Sequence, residues 1–383
     1  MTTATTSNVA QTGTSLLETI RELGPTFAAR AARHDDDDTF VHDNYADLRA
    51  AHIFSAGVPA ELGGGGAGHR ELSTMLRELA HHCSSTALAL SMHTHQVFIP
   101  AYRWYRDPQP AFEGLLRRVA NEQPVLVSSG ASDWLDSSGV LVKVDGGYKY
   151  AGRKVFASGS PAGAILITSG AYDDPVDGPV VLHFPLPLNT PGVTVLDNWR
   201  TLGMRATGSN DVVIEGAFIP DASISLRRPK GKWAPIYDLV ATLALPLVLS
   251  VYVGVAEHAR DLALTHAARK RERPDVQLLV GEMETELRTA QIALDSAFDI
   301  AESAKPGLDT TNEVLMRRTI AGQAAMRTVS KAMDVTGGAA FHRATRLERL
   351  WRDVQGARYH PIAETPQHLM SGRVALGFGN DSF

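Results

Sequence analysis

With 383 residues, 44% of them hydrophobic, the chain is long enough to bury a large core in two or three packed units. Its net charge of -5 gives no clustered basic face for nucleic acid, and the run Arg269, Lys270, Arg271 and Arg273 reads as a solvated helix end. Cys83 is the single cysteine, which excludes an intrachain disulfide and points to a reducing, cytoplasmic compartment.

Met1 to Gly13 lack the basic cluster and apolar stretch of a secretory signal. From about Ser15 to Ala120 the pattern is helical: Leu16, Leu17, Ile20 and Leu23 recur at helical spacing, as do Leu72, Met75, Leu76 and Leu79. The glycines of Leu62-Gly63-Gly64-Gly65-Gly66 make a loop between them. Asp35 to Asp38 read as a solvated turn, because four consecutive carboxylates do not converge on one metal ion. His81-His82 and His93-x-His95 have no Cys or acidic partner at ligand spacing, so no metal site is expected.

From about Pro124 to Pro220 the period changes to two. Val140, Val142 and Val144 alternate, Gly146-Gly147 turns the chain, and Tyr148 and Tyr150 resume the alternation as a hairpin. Ala164–Thr168, Val180–Phe184, Val193–Leu196 and Val212–Ile214 are further short strands, spaced as in a sandwich.

Helices return from about Trp233. The stretch Leu239 to Val255, broken by Thr242, Pro246, Ser250 and Tyr252, is expected to be a buried helix and not a membrane span. Val280, Met283, Leu287, Ala290, Leu294, Ala297 and Ala301 mark one buried stripe, and Val314, Ala321, Ala325, Thr328, Ala332 and Val335 another. Helices, strands and helices in separate blocks define an α+β chain, with expected domains at residues 1–122, 123–229 and 230–383. There is no G-x-G-x-x-G or P-loop, so a nucleotide must be held in another way.

Five local stretches, in order, carry a resemblance. Gly57-Val58-Pro59-Ala60-Glu61-Leu62-Gly63-Gly64 is similar to a P-x-x-x-G-G entrance loop. Tyr148 to Gly159 is similar to y-x-l-n-G-x-K-x-W-I-T-N, and Leu202 to Ser209 to l-G-x-R-g-t-x-s. Val335 to Phe341 is similar to x-x-G-G-x-G-f, and Leu350-Trp351-Arg352-Asp353 to l-x-R-D. Together they resemble the acyl-CoA dehydrogenase superfamily over nearly the whole chain. The resemblance implies an N-terminal helical domain, a central β-sandwich or barrel and a C-terminal four-helix bundle. It also implies a flavin, held by Phe156, Ala157, Ser158 and Ser129, by Arg269, and by Gly337 and Gly338 from a neighbouring subunit, hence a homotetramer or homodimer. FAD is the family's cofactor. Arg269 to Asp275 lack the family's Phe-Gly, however, which leaves room for FMN or a loosely bound reduced flavin.

The family's catalytic carboxylate is missing. Eight residues after Asp353 stands Pro361, and Ala241 to Ser250, the alternative position, contain no Asp or Glu. His360 stands beside the vacancy. His93, Ser158 and His360 fall where the flavin monooxygenases of this fold, such as dibenzothiophene monooxygenase, place their histidines and serine. An imidazole near pH 7 suits proton donation. His95 reads as core packing.

The expected activity is therefore a flavin-dependent oxidation, on the monooxygenase side, with reduced flavin supplied by a reductase. The alternative is α,β-dehydrogenation of an acyl thioester with Glu364 as a displaced base, and a third is a flavin-binding protein without catalysis. The partners expected are a small-molecule substrate and other copies of the chain, with neither nucleic acid nor a membrane.

Overall fold

A computed structural model describes residues 15–130 and 133–378. The first block of helices is α1 (Leu16–Asp37), α2 (His42–Ala50), α3 (His69–His82), α4 (Ser84–Trp104) and α5 (Pro110–Glu122). Helix α1 opens with a capping box: Ser15 accepts from the Glu18 amide, and the Glu18 carboxylate accepts from the Ser15 amide at 2.7 Å.

The strands follow as β1 (Leu126–Ser128), β2 (Val140–Val144), β3 (Gly147–Ala157), β4 (Ile165–Asp174), β5 (Gly178–Pro187), β6 (Val193–Val195), β7 (Asn210–Pro220) and β8 (Leu226–Pro229). They form one mixed eight-stranded sheet in the order β6-β7-β3-β2-β4-β5-β8, with β1 parallel to β4. Two limbs meet at a single bridge, Val140 to Ala171. Their inner faces pack on each other through Tyr150 and Phe184, edge to face at 5.2 Å, and the Tyr150 hydroxyl donates to Ser169 O. The β2–β3 turn is Asp145-Gly146, one residue earlier than the sequence implied. Gly146 takes the left-handed φ of +70° and Gly147 already pairs with Val144.

The chain then runs through α6 (Pro235–Ala267), α7 (Pro274–Ser303), α8 (Leu308–Thr336), α9 (Leu347–Val354) and α10 (Glu364–Ala375). Helix α6 is apolar and long enough to cross a membrane by composition, yet 89% of that window is buried inside the protein. It packs on α3 and α4 on one side and on α7 and α8 on the other, so the main core runs without a break through all three blocks.

The acidic run is a solvated turn only in part: Asp36 and Asp37 are exposed, but Asp35 is buried and Asp38 half-buried. Arg352 forms a bidentate pair with Asp35 at 2.5 and 3.0 Å, Arg205 reaches Asp38 at 2.5 Å and Arg343 reaches Asp36 at 2.7 Å. Carboxylates at the C-terminal end of α1 oppose the helix dipole. The three arginines, all from later in the chain, offset that: Arg343 and Arg352 fix α1 to the segment leading to His360, and Arg205 fixes it to the loop before β7.

Candidate active site

A cleft of about 1840 Å³ lies where α4, both sheet limbs, α6 and residues 352–361 converge. Its wall is mostly apolar, with Leu88, Met92 and Ile99 from α4 facing Ala244, Leu245 and Val248 from α6.

The end of β3 supplies one wall. The β3–β7 register breaks between Lys154 and Ala157, and within the break Phe156 adopts φ +57°, a conformation that costs a phenylalanine energy. The result is an aromatic ring 57% exposed in the cleft, edge-on to Trp199 at 5.7 Å. Ala157 is fully buried and paired with Asn210, so its side chain faces the core. Ser158 lines the cleft at the head of a hydroxyl relay. Its Oγ is 2.7 Å from Ser209 Oγ, which is 2.7 Å from Thr207 Oγ1, whose proton goes to Met204 O at 2.9 Å. Because each hydroxyl has one proton, Ser209 donates to Thr207 and Ser158 to Ser209. Ser158 Oγ is left with lone pairs for the cleft. Ser129 is also in the wall, accepting from Thr168 Oγ1 at 3.3 Å.

His360 lines the cleft, and so does Pro361, which places the vacant carboxylate position at the cleft wall. His360 Nε2 is 2.5 Å from the hydroxyl of Tyr252 on α6, and its carbonyl accepts from Arg318 Nη2 at 2.7 Å. Burial, then the positive charge of Arg318, then His95 push its pKa down to about 3.

The histidines of α4 exchange roles relative to expectation. His93 points away from the cleft: its Nε2 donates to Phe54 O at 2.8 Å and its Nδ1 accepts from the Leu126 amide at 2.9 Å. Both ring nitrogens are used on backbone, and burial holds the ring neutral with a pKa of about 4. His93 fastens α4 to the loop around Phe54 and to β1. His95 is the one in the cleft wall, with Nδ1 on Ser91 O at 3.1 Å and Nε2 beside the Gln96 amide at 3.1 Å. Positions 88, 92, 95, 99 and 103 step by three and four, and that spacing puts His95 on the cleft face and His93 off it.

Glu364 begins α10 outside the cleft wall and accepts from Gln323 Nε2 at 2.7 Å. The displaced-base expectation therefore lacks the geometry in this chain. Arg269 is solvent-exposed after α6, and Gly337 and Gly338 lie exposed after α8; within one chain none of the three reaches the cleft.

Asp133 is the sole carboxylate among the described residues lining the cleft. Lys154 Nζ donates to its Oδ2 at 2.7 Å, and the Ser138 amide and hydroxyl donate to Oδ1 at 2.8 and 2.9 Å. Next to it Arg228 donates to the carbonyls of Asp133 and Leu135, each at 2.7 Å, and to the Tyr237 hydroxyl at 3.0 Å. Tyr237 stacks on Trp134 at 5.2 Å, with Trp233 edge-on to Trp134.

A deep apolar cleft at a three-way junction, an exposed aromatic ring on a strained strand end and a row of hydroxyls beside it fit a planar, polar-edged ring system. This fold and wall define a flavin-dependent oxidoreductase. The model of the acyl-CoA dehydrogenase N-terminal domain matches residues 12–109 and that of the acyl-CoA dehydrogenase C-terminal domain matches residues 248–365, together more than half of the chain. The chain belongs to the acyl-CoA dehydrogenase family.

Among its relatives, the amino sugar nitrososynthase RubN8 of Streptomyces rubradiris is 28% identical, over 98% of this chain and 93% of its own length. The structure of KijD3 in complex with FMN and dTDP-3-amino-2,3,6-trideoxy-4-keto-3-methyl-D-glucose superposes with a TM-score of 0.86 at 29% identity. It covers 98% of this chain and 97% of KijD3. The probable FMNH2-dependent monooxygenase SfnC of Pseudomonas putida is 25% identical over 93% of each chain. CoA dehydrogenases match at 26%. The chain is a flavin-dependent oxidoreductase, and its nitrososynthase and monooxygenase relatives support the monooxygenase-type reading over dehydrogenation, as its sequence led us to expect.

Proposed function

We propose that the protein takes reduced FMN from a separate reductase and uses O2 to oxygenate a nucleophilic heteroatom of a small molecule, an amine nitrogen in the first instance. The observation that carries this reading is the state of the cleft's carboxylate. Dehydrogenation of an acyl thioester needs an ionised base free to take an α-proton. Position 361 is proline, Glu364 lies outside the cleft, and Asp133 is spent on Lys154 and Ser138.

When bound, reduced flavin supplies the two electrons that activate O2. In net terms, one oxygen atom enters the substrate and the other leaves as water. The chain's own residues do the rest. Phe156 and Trp199 would offer an aromatic wall to the ring system, and Ser129 and Ser158 would meet its polar edge. The relay of Ser158, Ser209 and Thr207 presents an acceptor, which suits the N–H that a reduced flavin carries and an oxidised one lacks. Neutral His360 offers a proton donor for developing negative charge on oxygen, and the apolar side chains of α4 and α6 exclude water.

FMN fits better than FAD. The adenine-side motif is absent around Arg269, that arginine is exposed, and relatives are named for FMN or its reduced form. The amine preference rests on the nitrososynthase relatives. Phe341, 88% exposed beside Gly337 and Gly338, supports a homo-oligomer in which that loop meets a second chain. Titrating the purified protein with FMN and FAD, oxidised and reduced, tests the cofactor assignment. Tightest binding of reduced FMN is expected, and tight retention of oxidised FAD would overturn it.

A further inference from the structure

We propose that Tyr252 is the positioning residue for His360: its buried hydroxyl donates to Nε2, holds the ring as the Nδ1–H tautomer and leaves Nδ1–H as the donor available to the cleft. The proposal rests on the oxidoreductase reading above and assigns to α6 a part in the site that its apolar sequence hides.

Three observations carry it. Tyr252 is fully buried, and its hydroxyl has one hydrogen-bond partner, His360 Nε2 at 2.5 Å. A buried phenol must place its proton, because an unmade hydrogen bond costs on the order of 1–3 kcal/mol. With one partner, the proton goes to Nε2. Were Nε2 protonated, the O–H would face an N–H and find no acceptor. A neutral ring therefore carries its proton on Nδ1, the ring nitrogen without a hydrogen-bond partner among the described residues.

The surrounding backbone is shaped for the contact. A Cβ at Gly356 would stand 2.7 Å from the Tyr252 oxygen, so glycine lets this turn lie on the phenol. Arg318 Nη2 donates at 2.7 Å to the carbonyls of both Ala357 and His360, fixing the turn from the side of α8.

The surroundings of the pair keep both rings neutral on balance. Arg318 on α8 and His95 on α4 disfavour an imidazolium at His360. Burial, and after it Asp353 on α9, keep the Tyr252 phenol protonated, its pKa raised well above the ordinary value, and Arg318 opposes this only in part. Glu364 on α10 acts on Arg318, not on His360 directly. The ring stays neutral through the physiological range, a donor without a charge.

The first test uses the whole protein labelled with 15N-histidine and needs no substrate, so its outcome is separate from whether the reaction is oxygenation; the kinetic variants follow it. We expect His360 to show a protonated Nδ1 and an unprotonated Nε2, with no titration down to pH 5. A protonated Nε2, or titration near 6.5, would overturn the proposal. Tyr252→Phe is expected to mix the tautomers and to lower kcat at least about ten-fold with KM for the substrate held. H360N, whose amide nitrogen falls near Nδ1, should keep more activity than H360Q, whose amide falls near Nε2. The reverse order would place the working nitrogen at Nε2 and sink the assignment.

Discussion

Lys154 and Asp133 form a buried ion pair in the wall of the cleft, Nζ to Oδ2 at 2.7 Å, with both side chains almost wholly withdrawn from solvent. Burial lowers the lysine's pKa, and the Asp133 charge pulls it partly back. The pair is what separates this cleft from one built for α-proton abstraction. Lys154→Met would leave a carboxylate buried with hydroxyl and amide donors but no counter-charge, which costs about 3–5 kcal/mol. Urea unfolding should show that loss, and the double variant D133N/K154M should recover much of it. The double variant is also expected to retain turnover. A folded double variant with no activity would show that the carboxylate takes part in the chemistry.

His93 and His95 are two residues apart and should behave differently on substitution. H93Q should lower stability with turnover of the folded fraction unchanged, because His93 bonds only to backbone. H95Q should lower turnover, because His95 is in the cleft wall. Assaying both variants at matched folded concentration checks this, and equal losses of turnover would contradict it.

Acid should destabilise the fold over a defined window. Burial is the leading cause that brings His69, His93, His95 and His183 down to a pKa of about 4. The unfolded chain binds a proton at each near 6.5, while the folded chain does so only near 4. Falling pH therefore favours the unfolded state between those values, by up to about 1.4 kcal/mol per pH unit for each histidine. Urea midpoints taken from pH 7 to pH 4 should fall steeply below 6.5, and H93Q should flatten the slope by one proton. A flat profile would mean that these rings titrate normally in the fold.

Ser158→Ala should remove an acceptor and so weaken binding of reduced FMN more than of oxidised FMN. A neutral hydrogen bond is worth about 1 kcal/mol, or roughly five-fold in affinity. The potential of the bound flavin should fall by about 20 mV, given that 30 mV corresponds to about 1.4 kcal/mol for two electrons. Spectroelectrochemistry on the two proteins measures this directly. A rise in potential would show that Ser158 donates.

Much of the architecture was legible because it depends on periodicity. The stripe from Met283 to Ala301 on α7 and the alternation of Tyr148 and Tyr150 on β3 each follow from one buried face, whereas on β2 the expected face is reversed: Val140 and Val142 are exposed and Leu141 is buried. The vacancy at Pro361 was also legible, since it required only counting from Asp353. The choice between His93 and His95 was not. Helix α4 is buried on nearly every face, so its apolar pattern does not say which side meets the cleft. Tyr252 was passed over as an interruption of an apolar run, although a hydroxyl on a buried helix always raises the question of its partner. Asp35 to Asp38 looked solvated because their arginines lie more than 160 residues away in sequence. Local reading does not see pairs that the fold brings together.

We propose that this cleft oxygenates and does not dehydrogenate. The most direct test of this proposal supplies the protein with reduced FMN, 18O2 and an amino-sugar nucleotide, and examines the product by mass spectrometry. One 18O atom in the product and consumption of O2 that depends on substrate are expected. Anaerobic bleaching of bound oxidised flavin by an acyl-CoA thioester, with no label from 18O2 in any product, would contradict it.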